Sequence, residues 1–124
     1  MKFLHTCIRV KDLEKSVEFY TKNLGFEKSR IKDFPEKEFT LYFLKLPNSD
    51  YELELTYNYD REEPYEIGDG YGHIAISNSD IIKFREELLE KGCYVTDIVG
   101  LNDGGTKYFF VKDPDGYKIE VIQE

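Results

Sequence analysis

The sequence predicts an α+β fold of two tandem βαβββ modules, and three observations carry that expectation. Hydrophobic periodicity runs strand, helix, then three strands, twice along 124 residues. A polar stretch at 58–70, NYDREEPYEIGDG, separates the two runs. Residue identities then repeat at a nearly constant spacing. His5, Thr6, Cys7, Ile8 and Asp12 recur 68 positions later as His73, Ile74, Ala75, Ile76 and Asp80. Pro47, Tyr51, Leu53 and Glu54 recur 66 or 67 positions later as Pro114, Tyr117, Ile119 and Glu120. A duplicated module accounts for this economically. The chain is therefore read as one domain, 1–124, with repeats at about 1–58 and 71–124.

The elements follow in order. Residues 2–10 alternate as a strand, and 13–23 place Leu13, Val17, Tyr20 and Leu24 at helical spacing. Asp12 can cap that helix, and Gly25 suits the left-handed position that ends it. Strands are expected near 26–32, 38–46 and 51–57, with the turn Pro47-Asn48-Ser49-Asp50 between the last two. The second run repeats the pattern. It has a strand at 71–77, a helix at 80–91 with Ile81, Phe84 and Leu88 on one stripe, and Gly92 after it. Strands near 93–99, 106–112 and 117–123 complete it.

Composition narrows the function. A net charge of −8 disfavours nucleic acid, which needs a clustered basic surface, and anionic membranes likewise. No apolar run is long enough to span a bilayer, and the first residues lack the apolar stretch of a secretory signal. Two cysteines outside any CxxC pair make no disulfide framework, so a reducing, cytoplasmic setting is expected. Cys7 and Cys93 read as small core residues. No GxSxG elbow supports a serine nucleophile, and Gly104-Gly105 reads as a mobile loop.

The chemistry rests on four residues. The only two histidines, His5 and His73, occupy equivalent places, and each half carries a carboxylate, Glu54 or Glu120, in its last strand. Strand parity puts His5 with Phe3, Cys7 and Arg9, and Glu54 with Glu52, Thr56 and Asn58. His73 goes with Tyr71 and Ala75, and Glu120 with Lys118 and Ile122. Each candidate ligand thus lies opposite an apolar face that can bury against a helix. Two imidazoles and two carboxylates suit a first-row divalent ion and leave two octahedral positions for water or substrate.

Four segments then stand out: HTCIRVKDLEKSVEFYTKNLGF, ELTYNYD, YGHIAI and DPDGYKIEVI. They resemble glyoxalase I, lactoylglutathione lyase, of the vicinal oxygen chelate superfamily, over almost the whole chain. The resemblance implies a carbon–sulfur lyase that isomerises the hemithioacetal of methylglyoxal and glutathione to an S-lactoyl thioester, detoxifying methylglyoxal. It makes His5, Glu54, His73 and Glu120 the metal ligands, with nickel or cobalt favoured and zinc possible. Arg9 and Asn58 match positions that hold the γ-glutamyl carboxylate. Glu120 is the first choice as catalytic base and Glu54 the second. It also implies a homodimer whose sites are shared between subunits.

Some residues depart from the pattern. Glutathione users carry basic residues in the loop before the final strand pair. Here Gly100-Leu101-Asn102-Asp103-Gly104-Gly105-Thr106-Lys107 offers only Lys107, and Asp69-Gly70-Tyr71-Gly72 replaces an arginine-bearing segment found in some relatives. A thiol other than glutathione is therefore open. An acyl-CoA epimerase, such as one for methylmalonyl-CoA, shares the scaffold but usually has an amide where Glu54 stands. An extradiol dioxygenase needs only one carboxylate beside its two histidines. A non-catalytic drug-binding protein of this fold needs no ligand set.

Overall fold

A computed structural model describes residues 1–100 and 104–124. Leu101, Asn102 and Asp103 of the loop considered above lie outside the described residues. The chain divides into two units, Met1–Glu66 and Ile67–Glu124.

The first unit follows the expected order. Strand β1 (His5–Val10) leads into helix α1 (Leu13–Glu18), then β2 (Glu27–Phe34), β3 (Phe39–Lys45) and β4 (Glu52–Asn58). They form one sheet in the order β1-β4-β3-β2, with β1 and β4 parallel and the other pairs antiparallel. The parallel pair needs a crossover, which α1 and the two intervening strands supply. Asp12 caps α1 by accepting from the Lys15 amide at 3.1 Å. The helix expected over 13–23 changes character at Phe19, where a π-helical turn (Phe19–Asn23) takes over. The Thr21 hydroxyl donates to the Val17 carbonyl at 2.7 Å there, a side-chain bond that competes with regular helix. Gly25 closes the segment at φ +79°, as its position predicts. One sheet face packs Ile8, Val10, Leu53 and Leu55 out of solvent, and Tyr20 and Leu24 are buried as well.

The second unit has β5 (Ile74–Asn78), helix α2 (Ile81–Glu90), β6 (Tyr108–Lys112) and β7 (Lys118–Gln123). Its sheet runs β5-β7-β6, again with the first pair parallel. Asp80 caps α2 from the Lys83 amide at 3.2 Å, as Asp12 caps α1. Ile81 and Leu88 on the helix, with Phe109, Val111, Ile119 and Val121 on the sheet, are essentially inaccessible to solvent. Two expectations need correction. The strand expected at 71–77 begins only at Ile74, so His73 stands one residue before it. The strand expected at 93–99 is reduced to two isolated bridges, Val95 to Val111 and Val99 to Tyr108. Those bridges differ in register by one residue, which interrupts a continuous ladder. Between them the Thr96 hydroxyl accepts from the Phe110 amide at 2.8 Å, a bond that a regular ladder would give to a carbonyl.

In the turn before β7, Asp113 is buried and its Oδ1 accepts from the Asp115 and Tyr117 amides, both at 2.9 Å. This carboxylate shapes the DPDG turn that delivers Glu120 to its strand.

Candidate metal centre

Each unit brings one histidine to one glutamate. In the first, His5 on β1 lies directly across from Glu52 in the parallel register, while Glu54 pairs with Cys7. Position alone would offer His5 the nearer Glu52. Arg30 on β2 removes that choice, donating from Nε and Nη2 to the Glu52 carboxylate at 3.2 and 3.1 Å. These bonds hold the Glu52 carboxyl below its ordinary value. Glu54 is left to face the imidazole, with 3.9 Å between His5 Nε2 and Glu54 Oε1.

Glu54 is only 8% exposed, deeper than a strand carboxylate normally sits. Its Oε2 accepts the Thr56 hydroxyl at 3.1 Å. Cys7 is exposed, which corrects the expectation of a core residue. The alternation of β1 explains it, since Cys7 shares the His5 face and turns away from buried Ile8 and Val10. Burial, and after it a hydrogen bond to Glu54, push the Cys7 thiol pKa up. That thiol is a poor nucleophile. Cys93 is half-buried just past α2.

The second unit repeats the arrangement. His73 Nε2 stands 3.3 Å from Glu120 Oε1. Phe110 pairs with Glu120 across the β6–β7 ladder, and Phe43 pairs with Glu54 across β3–β4. Each phenyl ring meets its histidine edge to face, at 5.5 Å for His5 and 5.4 Å for His73. Neither phenylalanine was singled out from the sequence. Their separation of 67 positions, matching Pro47 and Pro114, was the available signal. Arg30 also escaped notice, although it covers the Phe43 ring at 3.9 Å.

Arg9 and Asn58 fall on the ligand face of the first sheet. Arg9 pairs with Thr56, and Asn58 is the next residue of β4 on that side. Arg9 is exposed, while Asn58 donates through Nδ2 to the Tyr65 hydroxyl at 2.9 Å. Lys107 is half-buried, and its carbonyl accepts from the Gln123 amide at 2.8 Å.

The donors fit a divalent ion of the first row, being imidazole nitrogen and carboxylate oxygen in equal number. Neighbouring ligands about 2.1 Å from one ion stand roughly 3 Å apart. The 3.3 Å separation is close to that spacing, and 3.9 Å is within reach of a small side-chain rotation. Among the described residues, no group of three or more His, Cys, Asp or Glu side chains is arranged to hold a metal ion within the chain.

The family model described as the Glyoxalase/Bleomycin resistance protein/Dioxygenase superfamily matches residues 2–121. The chain belongs to that superfamily. Within the superfamily it is 43% identical over 127 residues to the lactoylglutathione lyase of Escherichia coli O157:H7, covering 100% of this chain and 93% of that protein. It is 44% identical to a lactoylglutathione lyase of Arabidopsis thaliana, covering 98% of this chain. The chain spans less than half, 44%, of that plant protein's length. Among solved structures it resembles a trypanothione-dependent glyoxalase I of Leishmania major, with a TM-score of 0.85 and 39% identity over 100% of this chain and 87% of that one. The α+β architecture is thus that of glyoxalase I structures.

Proposed function

We propose that this protein is a glyoxalase I, isomerising the hemithioacetal of methylglyoxal and a thiol to the S-lactoyl thioester and so removing methylglyoxal. One observation carries the reading: the same His, Glu and Phe constellation occurs twice, in a four-stranded and a three-stranded sheet that share the order of three strands. The lactoylglutathione lyases that match almost the whole chain support it.

His5, Glu54, His73 and Glu120 would hold one divalent ion, with nickel or cobalt ahead of zinc. When bound, that ion supplies Lewis acidity, stabilising the negative charge that develops on substrate oxygen as the carbon acid loses its proton. Glu120 takes the proton from the carbon bearing sulfur and returns it to the neighbouring carbon, so nothing is gained or lost overall. Glu54 is the alternative base. Arg9 and Asn58 hold the γ-glutamyl carboxylate when the thiol is glutathione, with Arg9 as the charged partner and Asn58 oriented by Tyr65. Phe43 and Phe110 wall each histidine with apolar surface, which strengthens electrostatic interactions beside it.

Each unit supplies two of the four donors, which supports a homodimer in which the first half of one subunit faces the second half of the other. The repeats at about 1–58 and 71–124 then form a single domain of 1–124. Among the described residues no helix is long and apolar enough to cross a membrane, and the cytoplasm is the proposed setting.

Glutathione is the first choice of thiol. The lone Lys107 in the loop before the last strand pair favours testing others beside it. The experiment is thioester formation from methylglyoxal with a panel of thiols, using metal-free protein and protein loaded with nickel, cobalt or zinc. The expected result is turnover that requires metal and is highest with nickel or cobalt. Equal turnover by metal-free and loaded protein would contradict the mechanism.

A further inference from the structure

The two half-sites agree in histidine, glutamate and phenylalanine and differ in what touches the carboxylate. Thr56, the next residue of β4 on the ligand face, donates its hydroxyl to Glu54 Oε2 at 3.1 Å. Oε1 remains directed at His5. Behind Thr56 stands Cys7, with 3.2 Å between Sγ and the threonine oxygen. The hydroxyl has one proton, and the Glu54 carboxylate takes it. The Cys7 thiol also hydrogen-bonds Glu54, so Thr56 and Cys7 both engage this carboxylate.

Among the described residues, the second half lacks this pair of donors. The residue two places after Glu120 is Ile122, and the residue paired with Glu120 across β5–β7 is Ala75. Neither side chain has a donor. Glu120 is also the more exposed side chain of the two, at 17% against 11% for Glu54.

A carboxylate that both ligates an ion and moves a proton has to loosen and swing. One whose second oxygen is already engaged is held against that motion. We infer that Thr56, with Cys7 beside it, is a positioning residue that keeps Glu54 as a fixed ligand, and that the apolar Ile122 and Ala75 leave Glu120 free to act as the base. This inference rests on the metal-dependent isomerase reading above and adds a division of labour between two carboxylates that the duplication would otherwise make equal.

The test is a pair of opposite changes, read first by nickel affinity in competition with a chromophoric chelator and then by turnover. Thr56→Val is expected to weaken nickel binding by about tenfold or more, the usual effect of losing a hydrogen-bond partner of a metal ligand. Thr56→Ser restores the affinity. Ile122→Thr, which gives Glu120 the same tether, is expected to lower kcat by about tenfold or more while nickel binds as tightly as before. Ile122→Val controls for the loss of bulk and keeps kcat. Nickel affinity unchanged in Thr56→Val, or wild-type kcat in Ile122→Thr, overturns the inference. If the wild-type protein binds nickel without turnover, the proposed reaction falls and the affinity comparison at Thr56 still stands. A wild-type protein that binds no nickel defeats both.

Discussion

At the scale of single residues, the first half-site is decided by which carboxylate a cation claims. Glu52 and Glu54 share a strand face, and the Arg30 fork on Glu52 leaves Glu54 for His5. The same fork has a pH consequence. Arg30 lowers the folded-state pKa of Glu52 from 4.5, so the stabilisation is complete above that value and disappears as pH falls through the lower, folded one. Chemical denaturation of wild type and Arg30→Ala should therefore show a constant gap near neutrality that closes on acidification. A gap independent of pH would mean that Arg30 acts only by stacking on Phe43. Asp113 offers a second check. Replacing this buried acceptor by alanine orphans two backbone amides and should cost about 2 kcal/mol in a denaturation midpoint, with Asp113→Asn costing less. The two His–Glu pairs were legible in the sequence, because a histidine and a glutamate repeated in step. Arg30 was not, because its importance depends on a cross-sheet neighbour rather than on spacing.

At the scale of elements, local signals proved the most readable. Asp12 and Asp80 each cap a helix as their positions predict, and Asp12→Ala or Asp80→Ala should lower stability by about 1 kcal/mol in thermal or urea unfolding. Leu55 is completely buried beside Glu54, so Leu55→Ala should cost about 2–5 kcal/mol and test how firmly β4 is anchored. At two of the departures from expectation, a threonine side chain had entered the backbone bonding. Thr21 accompanies the π-helical turn after α1, and Thr96 stands within the interrupted edge beside β6. Hydrophobic periodicity carries no record of such bonds, which explains why the regular helix and the strand at 93–99 were expected. Phe43 and Phe110 escaped for a related reason. Singly, an aromatic residue in a strand reads as core, and only the ladder register shows it beside a candidate ligand.

At the scale of the whole molecule, duplication is the organising fact. Two sheets of the same strand logic each present one imidazole and one carboxylate, a pattern the spacing of the sequence already announced. If sites are shared between subunits, co-refolding inactive His5→Ala with inactive His73→Ala should restore activity. A mixed dimer would pair the intact half of each chain in one of its two sites. Sites confined to one chain would give no recovery. The most direct measurement of the central claim is the nickel content and affinity of wild-type protein beside His5→Ala, Glu54→Ala, His73→Ala and Glu120→Ala. One ion per chain, weakened or lost with any of the four, is the predicted result. Undiminished binding by variants from either half would contradict a centre built by both.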